Sequence, residues 1–235
     1  MPTIPEFTAR LLHAKFVANE TKVFRFEILK TPEFTFLPGQ FVSLKIAEKV
    51  FRAYSLASAC AELPSFEICA KLIPGGVGSM YLENLQNGDE ITFRGAFGRF
   101  LIKNPASDKI FFATGSGIAP IKCFVAEFAA GNLSGQHTLV FGLRNESYAP
   151  YLPEFHELQA KNPNFKFVLC LSRPEPNDQS EFSGRITDWA TQEAAEFFTQ
   201  KDIYLCGSPE MVKDLKRILL TEKNVSAENI FTEAY

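Results

Sequence analysis

The chain has 235 residues, enough for one or two domains with buried cores. Hydrophobic residues make up 46% of it and charged residues 22%, which is typical of globular proteins and excludes a disordered or fibrous one. The 24 basic residues are outnumbered by 27 acidic ones, for a formal net charge of −3, and no basic cluster indicates a protein that binds nucleic acid or a membrane surface.

The sequence carries no evident targeting or metal-binding signal. Its start, with Pro2, Pro5 and the acidic Glu6, differs from the basic and then apolar start of an export signal. The most apolar window, residues 110–131, is interrupted by glycine, proline and charged residues, so it is too polar to cross a membrane. The five cysteines form no CxxC pair and the three histidines no close set. We therefore expect a cytoplasmic protein without membrane insertion, metal site or nucleic-acid partner.

The first part of the chain predicts short β-strands. Apolar residues alternate with polar ones at Phe24, Phe26 and Ile28, and the runs 42–46 and 66–72 show the same period of two. Turn signals separate these runs, for example at Pro38-Gly39. Many short strands with turns between them predict an antiparallel β-barrel, with one short helix over Val77–Leu85.

The second part predicts short apolar strands that alternate with segments of helical length. The predicted strands are Lys109–Ala113, His137–Leu143, Phe165–Leu171, Asp202–Cys206 and Asn229–Thr232. Such alternation is typical of an α/β domain with crossover helices on a parallel sheet. Because Asn104-Pro105 interrupts both patterns, we predict two domains, residues 1–104 and residues 105–235.

A glycine-rich loop, Thr114–Pro120, follows the first parallel strand and opens a helix. Ligands bind at the carboxyl ends of such strands, and a helix N-terminus offers free N–H groups to a phosphate. Gly115 and Gly117 allow tight turning and close approach of the backbone. The loop predicts a pyrophosphate site, although a plain glycine turn before a helix remains an alternative.

The barrel part offers a second candidate phosphate site. Arg52 and Tyr54 lie on one face of a predicted strand and could serve one ligand, since a guanidinium suits phosphate and an aromatic ring suits stacking. A solvated arginine beside a core tyrosine is the plainer interpretation. Further on, the turn Pro74–Ser79 is a possible phosphate nest, with Ser79 as an extra donor.

Five motifs follow one another in a characteristic order. They are Arg52-x-Tyr54-Ser55-x-x-Ser58, Pro74-Gly75-Gly76-x-Gly78-Ser79, Gly95-Ala96-Phe97-Gly98, Thr114-Gly115-x-Gly117-Ile118-Ala119-Pro120 and Cys206-Gly207-x-Pro209-x-Met211. Together they span nearly the whole chain and resemble the ferredoxin–NADP reductase family, in a form without a fused iron–sulfur domain. The resemblance implies an FAD-binding barrel followed by a nicotinamide-nucleotide domain. One departure is Ala96, where many relatives have proline.

The resemblance also implies roles for the barrel residues. Arg52 would bind the FAD pyrophosphate, Tyr54 would stack on the isoalloxazine, and Ser55 would donate a hydrogen bond near flavin N5. The backbone of Ile68, Cys69 and Ala70 would meet the flavin edge. The turn of Gly76, Gly78 and Ser79 would hold the FAD phosphates.

In the second domain, the family pattern implies a nicotinamide site. Its pocket would be shaped by Thr114, Gly115, Gly117, Pro120 and Gly207. Cys206, Ser55 and Glu233 would position the hydride path between nicotinamide and flavin, and Tyr235 would cover the flavin face that the nicotinamide must reach. A small buried cysteine and a frayed terminal tyrosine are the structural alternatives.

The choice of nucleotide depends on charges near the third parallel strand. Ser172, Arg173 and Arg185, with help from Arg144, could bind a ribose 2′-phosphate, which favours NADP over NAD. Against this, NAD sites place a carboxylate on the ribose, and three acidic residues lie in the same stretch: Glu175, Asp178 and Glu181.

We therefore expect an FAD-dependent NAD(P)H oxidoreductase that passes electrons to a ferredoxin, a flavodoxin or an oxygenase component. One alternative is a reductase that releases free flavin, and another is a regulatory protein that binds nucleotide without turnover. No short motif identifies the acceptor.

Overall fold

The computed structural model describes residues 4–30 and 34–235. Met1, Pro2 and Thr3, part of the start on which the export prediction rested, lie outside the described residues. Within the described ranges the chain forms twelve β-strands and five α-helices, arranged as an antiparallel sheet followed by a parallel one.

The antiparallel sheet has its described strands in the spatial order β4-β3-β6-β1-β2-β5. Just beyond β4, Leu56 forms an antiparallel bridge to Ile68 of β5, so the two edge strands meet and the sheet closes. One helix, α1 (Val77–Asn84), lies between β5 and β6 and ends one residue earlier than predicted. The strands are β1 (Glu6–Ala18), β2 (Thr21–Lys30), β3 (Phe41–Ala47), β4 (Val50–Ser55), β5 (Ser65–Lys71) and β6 (Glu90–Phe97).

The barrel core follows from the period of two in its strands. Phe24 and Phe26 on β2 and Phe66 on β5 are fully buried, and the Phe26 and Phe66 rings stack with centroids 5.4 Å apart. Phe93 of β6 and Phe7 of β1 extend the aromatic cluster. Burial of these apolar side chains stabilises the closed sheet, and the observed strands confirm the predicted antiparallel domain.

The second sheet is parallel, with its described strands in the order β10-β9-β8-β7-β11-β12. Its strands are β7 (Lys109–Thr114), β8 (His137–Leu143), β9 (Phe165–Leu171), β10 (Phe182–Ser183), β11 (Asp202–Gly207) and β12 (Ile230–Ala234). The helices are α2 (Ile118–Ala129), α3 (Leu152–Lys161), α4 (Ile186–Gln192) and α5 (Pro209–Thr221).

Predicted and observed strands differ mainly at their ends. The bounds of β8 and β9 agree with prediction, and β7 and β11 are each one residue longer. The predicted start of the last strand at Asn229 is wrong, because Asn229 closes a 3₁₀ turn and β12 begins at Ile230. The two-residue strand β10 was not predicted.

The two sheets share an apolar interface with a few directed hydrogen bonds. Phe100 packs against Phe124 of α2 and Tyr204 of β11, and Tyr204 Oη accepts a hydrogen bond from the Lys103 backbone N–H. The Cys60 N–H donates to the buried Glu127 carboxylate at 2.7 Å. The chain crosses from β6 to β7 between residues 98 and 108, and the predicted boundary after residue 104 stays a prediction.

A cluster of buried or half-buried polar side chains lies at the amino end of the parallel strands. Lys109 is fully buried and its ammonium donates to the Ser107 carbonyl, while Ser107 Oγ donates to Asp202. Nearby His137 is 1% exposed, packs edge-on against Phe128, and has no hydrogen-bond partner for its ring nitrogens among the described residues. Burial lowers the pKa of His137 to about 4.

Within residues 4–30 and 34–235, no helix is long and apolar enough to cross a membrane. The histidine, cysteine and acidic side chains of these same residues form no group of three or more that could hold a metal ion.

Candidate functional site

A cleft of about 610 Å³ opens where the parallel strands end, between the second sheet and the barrel. This volume is in the range of small-molecule sites, and the carboxyl edge of a parallel sheet is where such sites form. Thr21 and Lys71 line it from the barrel side. The strand ends contribute Thr114, Gly115, Gly142, Leu143, Arg144, Ser172, Gly207 and Tyr235.

Close approach of two strand ends shapes the floor of the cleft. A Cβ atom at Gly117 would lie 2.2 Å from the Cys206 carbonyl oxygen, so only glycine lets the turn Gly115–Gly117 lie against the end of β11. The turn then runs into α2, with Pro120 buried in its first turn. The free N–H groups at this helix start and the adjacent turn are suited to an anionic ligand.

Cys206, Glu233 and Tyr235 come together beside this turn. Cys206 is buried and pairs in register with Glu233, and its Sγ lies 3.8 Å from Tyr235 Oη. Burial raises the pKa of the Cys206 thiol and of the Glu233 carboxyl, so the thiol is protonated at neutral pH. Tyr235 is 54% exposed as a residue and lines the cleft, while its hydroxyl reaches inward to the buried Cys206 thiol.

The charged residues predicted to select the nucleotide are partly in the cleft. Arg144, Ser172 and Arg185 line it, but Arg173 lies exposed outside it, and its N–H donates to the Arg144 carbonyl. Arg144 and Arg185 thus both line the cleft, and the predicted clamp of Arg173 with Arg185 stays a prediction. β9 ends at Leu171, and the next two residues donate backbone hydrogen bonds to the carbonyls of Leu143 and Arg144.

The acidic residues predicted as competitors bind elsewhere. Glu175 accepts a hydrogen bond from Asn145, Asp178 accepts from the backbone of Glu146 and Glu175, and Glu181 accepts from the Leu169 N–H. These contacts hold the 172–181 segment against β9 and against the loop that follows β8. The cleft instead holds the carboxylates of Glu210 and Asp214 from α5.

The barrel motifs meet at the start of α1. A Cβ atom at Gly78 would lie 2.5 Å from Tyr54 Oη and 3.3 Å from Arg52 Cγ, so the helix start contacts both side chains of β4. Gly76 is the N-cap of α1, and Ser79 Oγ accepts a hydrogen bond from the Ile73 N–H, which leaves its proton free to donate. Arg52 is exposed and Tyr54 half-buried, an arrangement suited to an anion and a planar ring.

Strand β5 connects the barrel site to the cleft. Ile68, Cys69 and Ala70 have buried side chains, so their backbone is what a ligand could meet. Through the bridge from Leu56 to Ile68, this segment lies next to Ser55 at the end of β4. On its other side β5 packs against the turn Gly115–Gly117.

Several cleft residues escaped the sequence analysis: Thr21, Lys71, Ser116, Tyr148, Thr187, Glu210, Met211 and Asp214. Met211 belonged to a motif without being assigned a role. Lys71 could have been found from the sequence. It ends an alternating run and lies two residues after Cys69, a residue assigned to the flavin edge. No sequence pattern indicated Tyr148 or Asp214, because loop and helix-face residues reach the cleft only through the tertiary fold.

The residues present fit FAD and a nicotinamide nucleotide. The barrel site combines a guanidinium, a phenol ring and a glycine-rich helix start, and the cleft combines a glycine turn with arginines near the outer strands. These donors suit two pyrophosphates and one aromatic ring system, which defines a class of oxidoreductases with separate flavin and nucleotide domains.

Comparison with known families agrees with this class. The model of the oxidoreductase FAD-binding domain matches residues 8–102, and that of the oxidoreductase NAD-binding domain matches residues 111–217. The chain belongs to the ferredoxin–NADP reductase family, as its motifs predicted.

Three relatives illustrate the range of similarity. A ferredoxin–NADP reductase of Sorangium cellulosum (strain So ce56) is 26% identical over 243 residues, which cover 97% of both chains. One component of the Na⁺-translocating NADH-quinone reductase of Pseudomonas aeruginosa (strain UCBPP-PA14) is 30% identical over 210 residues, covering 81% of this chain and 50% of that protein. This chain thus spans about half the length of that component. The crystal structure of an Amycolatopsis cytochrome P450 reductase has 25% identity and a TM-score of 0.85, covering 99% of this chain and 71% of that one.

Proposed function

We propose that this protein uses FAD to pass electrons from NADPH to a protein acceptor, a ferredoxin, a flavodoxin or an oxygenase component. The observation that carries the proposal is the packing of β5 against the Gly115–Gly117 turn, because it brings the barrel site and the nucleotide cleft together. Bound FAD would supply the ability to accept two electrons at once and release them singly.

The chain's own residues bind and orient the reactants. Arg52 and the α1 start would hold the FAD phosphates, Tyr54 would support the flavin ring, and Ser55 with the β5 backbone would meet its edge, because these groups lie together in the barrel. In the cleft, the Thr114–Gly117 turn and Gly207 receive the nicotinamide nucleotide. The protonated Cys206 thiol and Glu233 lie behind it, and Tyr235 occupies the mouth of the cleft until the nicotinamide displaces it.

A protein acceptor is supported by the kinds of relatives that the chain has. One relative is a ferredoxin–NADP reductase and one structural neighbour is a cytochrome P450 reductase, and each name includes a protein as redox partner. We place this electron transfer in the cytoplasm, with an acceptor from one of the three classes named above.

NADPH is the proposed nucleotide because Arg144, Ser172 and Arg185 share the cleft with no ion pair to either arginine within the described part of the chain. A planar guanidinium suits a ribose 2′-phosphate. The names of the relatives do not agree on the nucleotide, since one includes NADH and another NADP. The proposal for NADPH therefore rests on the side chains of this chain.

The visible spectrum of the purified protein tests the function. A yellow protein that is bleached by NADPH without oxygen, and more slowly by NADH, is the expected result. Colourless protein that reduces only added flavin would instead favour a free-flavin reductase. Nucleotide binding without bleaching of reconstituted protein would favour a regulatory protein.

Arg52→Ala tests the barrel site. Loss of a charge-assisted hydrogen bond should weaken FAD binding about tenfold to a hundredfold with little loss of fold stability. Arg10→Ala is the matched control, because Arg10 pairs with Glu90 on the barrel surface, away from the motif residues. Equal FAD affinity in the two variants would contradict the assignment.

A further inference from the structure

Tyr151 is a buried tyrosine of the second domain whose hydroxyl reaches into the barrel. It precedes α3, is 5% exposed and donates a hydrogen bond of 2.8 Å to Glu67 Oε1 of β5. The thiol of Cys69 faces the same hydroxyl. Neither the family motifs nor the cleft account for this contact.

The backbone of Tyr151 is held in an unfavourable conformation. Its φ of 62° lies in the left-handed region, which a bulky non-glycine residue adopts only when its surroundings impose it. The Phe155 N–H donates to its carbonyl, and the Lys122 ammonium lies 5.1 Å from its ring centroid. Lys122 is in turn paired with Glu154. The hydroxyl is thus aimed by contacts with both α2 and α3.

Glu67 is fixed as firmly on the barrel side. Its N–H donates to Ser58 Oγ, and its carbonyl accepts from the Ala57 N–H. Next to it, Ile68 forms the bridge to Leu56 that closes the barrel. A hydrogen bond to Glu67 therefore acts on the point where β4 and β5 meet, one residue before the proposed flavin edge.

We propose that Tyr151 is a positioning residue that sets the separation between the flavin edge on β5 and the nucleotide turn Gly115–Gly117. The inference rests on the proposed function for the placement of the flavin along Ile68–Ala70. Displacement of reacting groups by about 1 Å can slow a reaction up to a hundredfold, so a buried contact at this junction affects rate more than binding.

Tyr151→Phe in the FAD-loaded protein tests this, because it keeps the ring and removes only the hydroxyl. Bleaching of the flavin by saturating NADPH should slow about tenfold, within the range expected for such a displacement. FAD affinity and the binding of 2′,5′-ADP, a probe of the adenosine half alone, should stay within about twofold. The long-wavelength charge-transfer absorption band, which reports contact between the nicotinamide and flavin rings, should weaken in the variant.

Glu67 variants provide an independent route if Tyr151→Phe folds poorly. Glu67→Gln keeps an acceptor oxygen and should retain the wild-type rate, whereas Glu67→Leu should slow bleaching as Tyr151→Phe does. The double variant Tyr151→Phe/Glu67→Leu should be no slower than either single variant, because each substitution removes the same hydrogen bond between the two side chains. Rate losses that multiply would overturn the proposal.

Tyr204→Phe is the matched control. It removes another buried hydroxyl between the domains, the acceptor of the Lys103 N–H, but away from β5. It should lower stability while leaving the bleaching rate and the absorption band unchanged. Wild-type protein that neither nucleotide bleaches would overturn the proposed function and this inference with it. A normal wild type together with an unchanged rate and band in Tyr151→Phe would overturn the inference alone.

Discussion

The two edges of the parallel sheet differ in the exposure of their polar side chains. At the amino edge, Lys109 and Asp202 are joined through Ser107 and His137 is sealed among aromatic rings. At the carboxyl edge, Arg144 and Arg185 are exposed and line an open cleft. A buried polar group affects stability, whereas an exposed one is free to bind a ligand. The difference indicates that substitutions at the first edge change stability and those at the second change binding.

The largest effect is expected from the carboxyl edge. Arg144→Ala combined with Arg185→Ala should lower kcat/KM for NADPH about a hundredfold and leave NADH nearly unaffected, since each charged hydrogen bond contributes about 1.5–3 kcal/mol. The melting temperature should not change. Arg173→Ala, at an exposed residue outside the cleft lining, separates this pair from the clamp of Arg173 with Arg185 and should change neither value. An equal loss with both nucleotides would contradict recognition of the 2′-phosphate.

At the amino edge we expect a stability effect with a defined pH range. The pKa of His137 is lowered from 6.5 to about 4, so the unfolded chain takes up a proton at higher pH than the folded chain. The contribution of the neutral ring is present at neutral pH and is lost as pH falls towards about 4, with about 2 kcal/mol gone by about pH 5. Urea unfolding of the wild type and His137→Phe at several pH values measures this. Identical acid sensitivity of the two proteins would rule His137 out as the cause.

The smallest of these effects concerns the mouth of the cleft. Tyr235→Ser should strengthen binding of oxidised nucleotide by about tenfold and slow turnover, because the phenol ring no longer competes with the nicotinamide. Binding of 2′,5′-ADP serves as the internal control and should not change. If affinity for oxidised nucleotide stays the same while turnover falls, Tyr235 does not act as a gate.

The sequence was sufficient where local pattern and tertiary structure agree. The fold class and most strands followed from apolar periodicity, as in β8 and β9, whose bounds agree with prediction. Gly78 and Gly117 were found because the chain must approach itself closely at both points, and a motif records that requirement.

The parts of the site that the sequence did not predict depend on contacts between segments that are distant in the chain. The course of the 172–181 segment is set by its hydrogen bonds to the end of β8, to the loop that follows it and to β9, and no local pattern shows them. Tyr151 and Glu67 are 84 positions apart, and each alone has the appearance of an ordinary helix-start or strand residue. Tertiary position, not residue type, gives these side chains their roles.

The strand order also governs when the cleft can appear during folding. β7 lies between β8 and β11, so Thr114 and Gly117 meet Cys206 and Gly207 across about 90 residues of intervening chain. Contacts between segments far apart in sequence form late, because the entropy of closing a long loop must be overcome first. Nucleotide affinity should therefore return only with the slowest structural phase of refolding, after the local β-hairpins of the barrel have formed.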